Sequence, residues 1–365
     1  MKTIHKLFAS NAAKLLKIDS KTVHLTVTSP PYPMIEMWDD IFTKQNKKIG
    51  AALAQNNGAL AFELMHREMD KVWTELERVT VSGGFVCINI GDATRTIDQN
   101  FQLFSNHTRI IQKFLSLGFQ NLPNIIWRKA TNAPNKFMGS GMMPPGAYVT
   151  LEHEHILIFR KGRKREFKTV AEKNVRRSSS YFWEERNIWF SDLWDLKGVK
   201  QSIKNSKTRE RSAAYPFELS YRLINMFSVK GDNVLDPYLG TGTTVLGAMA
   251  AGRNSFGYDI DRVLIKDFPK QDFVSIKDSL NRMIYNRLKR HKAFIKERKK
   301  SKGEHSNKHL SKHYDFGVMT AVERHLVLNY LEGIEMVAPN KLECTYFEEA
   351  RWIHPPIQDS LVEKK

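Results

Sequence analysis

Residues 234–244 read Val-Leu-Asp-Pro-Tyr-Leu-Gly-Thr-Gly-Thr-Thr, and an apolar run containing Ala and Gly follows them to Ala251. A strand, a Gly-x-Gly turn and a helix in succession make a cradle of the nucleotide-binding kind, because glycine allows tight turning and close approach of backbone to ligand. The turn lacks the Gly-Lys-Ser/Thr ending of a phosphate-binding loop. It also lacks the full Gly-x-Gly-x-x-Gly spacing, since the next glycine is Gly247. The segment Asn254-Ser255-Phe256-Gly257-Tyr258-Asp259-Ile260-Asp261 is a second strand ending in a carboxylate. Asp259 lies close to the ~20-residue interval at which such folds place an acid for ribose hydroxyls, whereas Asp261 suits a helix cap.

Working outward, strand-like runs at residues 23–28, 85–90, 124–128, 155–160, 233–236 and 255–259 alternate with helical periodicity at 60–79, 102–117, 217–228 and 243–251. That alternation predicts an α/β sheet rather than a bundle or sandwich. Far upstream, Thr28-Ser29-Pro30-Pro31-Tyr32 stands where the apolar strand 23–28 ends. Two prolines in succession cannot continue a ladder and fix the backbone, so the loop leaves the sheet rigid and extended. Ligands of open α/β sheets bind at the carboxyl ends of strands, which makes this ordered loop a candidate site.

Two segments depart from the pattern. Residues 161–211 are rich in Arg, Lys, Ser and aromatics and look like an inserted module. Between Arg287 and Lys302 nine Lys/Arg face the single acid Glu297, which reads as a basic helical arm; a further helix is expected at 319–331. The whole chain carries 57 Lys+Arg against 39 Asp+Glu, a formal charge of +18, which suits a polyanionic partner without proving one. Cys87 and Cys344 are too few for a disulfide scaffold or a four-cysteine zinc site, and no run approaches the ~20 apolar residues of a membrane helix, so a soluble cytoplasmic protein is expected.

Read in order, these motifs resemble the amino-group DNA methyltransferases of the beta arrangement, in which a Ser/Asp/Asn-Pro-Pro-Tyr/Phe catalytic loop precedes the glycine-rich loop. Ser29–Tyr32 precedes Asp236–Thr244 here in the same way, and the likeness extends over most of residues 1–275 through Gly83-Gly84-Phe85-Val86-Cys87-Ile88-Asn89-Ile90-Gly91-Asp92, Ile125-Ile126-Trp127-Arg128-Lys129, residues 154–162 and Ala214-Tyr215-Pro216-Phe217-Glu218-Leu219. The resemblance implies a Rossmann-like S-adenosylmethionine-dependent methyltransferase sheet with permuted motif order. Its catalytic domain would comprise residues 1–160 and 212–275, with a target-recognition segment at 161–211 and a basic C-terminal extension at 276–365. It also implies that Ser29, Pro30, Pro31 and Tyr32 act on the target base. Asp236, Tyr238, Gly240, Gly242 and Thr243 would hold the methionine end of S-adenosylmethionine and Asp259 its ribose, where family members often have Glu. Tyr215 and Phe217 would pack beside the cofactor, and Asp92 is carried over as a cofactor-side residue.

The implied chemistry is direct transfer to an exocyclic amine of an extruded base. Such an amine is a poor nucleophile and is out of reach in a stacked duplex. Ser29 Oγ and the Pro30 carbonyl would accept hydrogen bonds from it and aim its lone pair, while Tyr32 stacks on the ring. Ser29 at the first loop position favours cytosine N4 over adenine N6, where Asp is typical; a neutral serine takes no proton, and no general base is evident. The C5 route needs a Pro-Cys nucleophile, and neither cysteine follows a proline. The resemblance puts target recognition in 161–211, where Arg163, Lys164, Arg165, Arg176, Arg177 and Arg186 suit phosphates or guanine edges of double-stranded DNA; the arm at 287–302 would add sequence-independent affinity. A restriction endonuclease acting on the same site is the expected biological partner. The run Glu152-His153-Glu154-His155 supplies two histidines and no evident third ligand, so no metal site is expected. The alternatives are an adenine-N6 enzyme, a non-catalytic nucleic-acid-binding module on the same fold, and an RNA or protein acceptor.

Overall fold

The strands expected from alternation form the middle of one large sheet. The computed structural model describes residues 1–129, 138–198, 215–303 and 309–348. The sheet has eleven strands: β1 (Lys2–Ala9), β2 (Val23–Thr28), β3 (Thr80–Ile90), β4 (Phe119–Asn121), β5 (Ile125–Arg128), β6 (His153–Lys161), β7 (Leu193–Asp195), β8 (Asn233–Asp236), β9 (Asn254–Asp259), β10 (Leu331–Ala338) and β11 (Lys341–Tyr346). Their order is β7-β5-β6-β3-β2-β8-β9-β1-β11-β10, with β4 also paired to β6. The five strands from β3 to β1 are parallel, whereas β6 runs against both β3 and β5, and β11 against β1.

A parallel sheet is covered on both faces. On one side pack α1 (Asp39–Gln45), α2 (Lys47–Ala54), α3 (Gly58–Val79) and α4 (Asn106–Ser116), whose apolar stripes share a core with Val86, Ile88 and Leu235. Helices α5 (Val170–Ser178) and α6 (Trp183–Trp189) lie in the inserted segment. The second face is covered by α7 (Phe217–Phe227), α8 (Thr243–Ala251) and the start of α10 (Phe273–Lys302), with α9 (Arg262–Asp267) preceding α10. Among the described residues, no helix is long and apolar enough to cross a membrane.

Two expectations are corrected. The helix expected over 102–117 begins only at Asn106, because residues 93–97 and 100–104 pair as an antiparallel hairpin. No helix forms over 319–331: after a short 3-10 turn at Glu323–His325 the chain is extended. There Leu326, Leu328 and Tyr330 alternate into a small core with Ile284 and Leu288, so a period of two outweighs the apparent helical spacing. The basic arm is helical as expected, the later part of α10, with most of its Lys and Arg exposed and its first arginine packed inside. Arg287 is 1% exposed and paired with Glu185, and Leu288, His291 and Ile295 are buried beside it. Residues 341–346 of the expected extension pair with β1, and residues 331–338 pair with them in turn, so the sheet is enlarged by two strands.

Candidate active site

Because β2, β8 and β9 are parallel, Ser29, Asp236 and Asp259 emerge at the same carboxyl edge. Neighbouring β2 and β8 bring the two motif loops together, and one buried carboxylate fastens them. Asp236 accepts hydrogen bonds from Thr28 Oγ1 (2.7 Å), Thr244 Oγ1 (2.7 Å), Tyr215 Oη (3.3 Å) and the Tyr238 amide (3.1 Å). Burial raises its pKa to about 6 despite these donors, since a desolvated carboxylate is disfavoured.

A cavity of about 710 Å³ opens here, lined by Ser29, Pro30, Pro31 and Tyr32 on one side and by Asp236, Tyr238, Gly240, Thr243 and Asp259 on the other. Its apolar wall comes from Trp38, Phe42, Met69 and Val72, and Tyr215 also reaches it. Gly240 and Gly242 both adopt positive φ (54° and 85°). A Cβ on Gly240 would meet nothing nearer than the Tyr238 carbonyl at 4.0 Å, whereas one on Gly242 would strike the Phe268 ring at 2.1 Å. Gly242 therefore shapes the turn, and Gly240 leaves backbone bare at the cavity. Asp259 is held by the amides of Gly240 and Asp261 (both 2.9 Å), with burial raising its pKa, and Asp261 caps α9 through the Val263 amide. Bare glycine backbone, a strand-tip acid and an apolar wall in one cavity fit S-adenosylmethionine, which has a charged amino-acid end, a ribose and a flat base.

Ser29 belongs to a second network. Its Oγ lies 3.0 Å from Tyr32 Oη, which donates to Glu154 Oε2 at 2.9 Å. Asn89 Nδ2 donates to Tyr32 Oη (2.8 Å) and Glu154 Oε2 (2.6 Å), and Lys129 bonds the other oxygen of Glu154. The Tyr32 ring lies against Gly91, where a Cβ would sit 3.0 Å from it. Burial and the nearby Glu154 carboxylate push the Tyr32 pKa far up, so it stays protonated.

Other expected residues lie elsewhere. Asp92 accepts from the His107 amide and bonds its Nδ1, outside the cavity lining; Gly242 and Phe217 also do not line it. Arg163, Lys164, Arg165, Arg176, Arg177 and Arg186 follow β6, whose reversed direction carries the chain to the opposite, amino edge. There Arg165 pairs with Asp232 just before β8, Arg176 and Arg165 stack on Phe167, and Arg186 covers Phe190. Residues 199–211 of that segment, Ala214 and residues 349–365 lie outside the described residues. Asp92, His107 and His155 do gather within 4.8 Å, supplying the third group missing beside the histidines of 152–155. The two rings, however, stack at 4.0 Å and 19°, so their lone pairs lie side by side rather than converging on one ion. Sequence reasoning missed the roles of Asn89, Glu154, Lys129 and Thr28 in these networks. The available signal was a carboxylate at the start of a strand whose centre, Ile156–Phe159, is apolar.

The family model N6_N4_Mtase, described as DNA methylase, matches residues 23–270. The chain is 49% identical over 350 residues to the Type II methyltransferase M.MthZI of Methanothermobacter thermautotrophicus, covering 95% of this chain and 96% of that one. It is 48% identical over 273 residues to M.MjaI of Methanocaldococcus jannaschii, covering 72% and 89%. A Thermus thermophilus protein described as a DNA modification methylase, solved with S-adenosyl-L-methionine, superposes with a TM-score of 0.56 at 30% identity, covering 73% of this chain and 93% of that one. The PvuII cytosine-N4-specific DNA methyltransferase shares the fold at TM-score 0.52 and 14% identity, covering 77% and 92%. With the shared cavity and the ordered motifs, this match means that the chain belongs to the N6/N4 DNA methylase family and is an S-adenosylmethionine-dependent DNA methyltransferase.

Proposed function

We propose that the chain methylates the N4 amino group of cytosine in duplex DNA after the base is extruded. The observation that carries this reading is the direction of the hydrogen bonds at Ser29. With the Tyr32 hydroxyl proton on Glu154, Tyr32 Oη is free to accept from Ser29, and Ser29 Oγ, approached from one side by Asn89 Nδ2 at 3.4 Å, keeps acceptor capacity beside the cavity it lines. A neutral acceptor at that point suits an exocyclic amine, which has hydrogens to donate. Ser29 Oγ and the Pro30 carbonyl orient that amine, and the Tyr32 ring offers a stacking face worth about 1–3 kcal/mol. Asp236, Tyr238, Gly240, Thr243, Asp259 and Tyr215 hold the methyl donor, whose sulfonium supplies an electrophilic methyl group. The residues' contribution is orientation, exclusion of water and fixed dipoles.

DNA would approach the carboxyl edge, where Arg128, Lys129 and Lys197 stand among the described cations. The relatives named as Type II methyltransferases support a role in a restriction-modification pair, with an endonuclease cutting the same site. Incubating the protein with labelled S-adenosylmethionine and unmethylated phage DNA, then digesting to nucleosides, tests the base assignment. Label in N4-methylcytosine is expected; label in N6-methyladenine alone would refute it.

A further inference from the structure

Methyl transfer to an aromatic amine leaves a proton to be removed, and Ser29 itself is neutral. We propose that Glu154 is the terminal acceptor of that proton, reached from Ser29 through the Tyr32 hydroxyl. The inference rests on Ser29 meeting the target amine. Glu154 is 8% exposed, and its Oε2 is two hydrogen bonds from Ser29 Oγ, at 3.0 and 2.9 Å. The other carboxylates at the cavity are committed elsewhere. Asp236 is occupied by Thr28, Thr244, Tyr215 and the Tyr238 amide, Asp259 by backbone amides, and Asp261 by its helix cap. Glu68 faces Asn46 and Lys71.

The step balances. The donor's S–CH₃ bond breaks with its electron pair returning to sulfur, and the amine lone pair forms the N–CH₃ bond. The departing N–H proton passes to Ser29 Oγ as the Ser29 proton moves to Tyr32 Oη and the Tyr32 proton moves to Glu154 Oε2. Tyr32 conducts rather than accepts, because burial beside a carboxylate keeps it protonated. Glu154 then releases the proton to solvent, and Asn89 holds the geometry by donating to both partners. Glu154 acts through Tyr32 and Ser29, so it is a positioning residue with an acid–base role. The charged and titratable groups facing it are Lys129, Tyr32 and His155.

The test is single-turnover methyl transfer to unmethylated phage DNA with labelled S-adenosylmethionine. E154Q should slow transfer by about 10²–10⁴-fold, the usual worth of a positioned acid or base, with S-adenosylmethionine affinity within about twofold of the wild type. Y32F should act on the same wire, so E154Q/Y32F should be no slower than the slower single variant. The wild-type rate should fall as pH is lowered, and that acid limb should vanish in E154Q. Transfer by E154Q within threefold of wild type, losses that multiply in the double variant, or a wild-type rate independent of acid pH would each overturn the relay; the last needs no variant to fold. S29A separates the two readings: full activity in S29A removes the site assignment, whereas loss in S29A without loss in E154Q removes only the relay.

Discussion

Gly240 and Gly242 stand two residues apart in one turn, yet their replacement by alanine should fail in different ways. At Gly242, φ is 85° and the new methyl would lie 2.1 Å from a Phe268 ring that is itself 2% exposed. A left-handed non-glycine residue costs about 1–2 kcal/mol, and forcing a methyl into a packed site about 1–3 kcal/mol, so G242A should lose about 2–5 kcal/mol of stability. At Gly240, φ is 54° and the methyl would meet only the Tyr238 carbonyl at 4.0 Å, which leaves the backbone term of about 1–2 kcal/mol. That methyl would instead occupy space in the cofactor cavity, so G240A should weaken S-adenosylmethionine binding at least tenfold. Denaturant unfolding gives the stabilities and titration calorimetry the affinities. Equal stability losses, or full cofactor affinity in G240A, would refute the division of labour drawn from the two Cβ positions.

Burial raises the Asp236 carboxyl from 3.8 to about 6, so the folded state holds this proton more tightly than the unfolded chain. Its stabilising contribution is complete below about pH 4 and is lost as pH rises through 6, a loss of about 3 kcal/mol by neutral pH. D236N should therefore gain on the wild type across that window, measured by denaturation at pH 4, 5.5 and 7; a constant difference would sink the argument. R287A should cost about 3–5 kcal/mol, because it leaves Glu185 without its buried partner, while the salt dependence of DNA binding in the folded variant stays that of wild type. G91A would push a Cβ to 3.0 Å from the Tyr32 ring and 3.4 Å from Glu154. It should slow single-turnover transfer more than tenfold while costing about 1–3 kcal/mol of stability.

What the sequence disclosed follows from how local each signal is. Strands β2, β8 and β9 were legible because short runs of β-branched, apolar and aromatic residues end at proline, glycine or a carboxylate, and both motif loops because proline and glycine fix backbone locally. That the loops share a cavity needed the pairing of β2 with β8, which no local pattern encodes; Thr28 to Asp236 spans 208 positions of chain. The interior strand β1 was missed although its buried and half-buried residues alternate, because polar Thr3 and His5 occupy its inward positions. They are accommodated by hydrogen bonds to Tyr346 and Ser255. The Glu154 network was illegible for a similar reason: its members come from β3, β6 and two loops, and only their convergence gives the carboxylate a purpose.

Strand direction decides at which edge a charged segment starts. Target recognition was expected in residues 161–211; β6 runs antiparallel to β3, so the chain that follows it starts at the edge away from the cavity. Arg165 bound to Asp232 marks that place. The chain recovers the carboxyl edge by running up β7 alongside β5, which puts Lys197, just after β7, at that edge, while Lys129 after β5 is held by Glu154. A net charge of +18 thus argues for a polyanionic partner without saying where it binds, and the parity of strand reversals between a basic segment and the catalytic loop decides which edge it occupies.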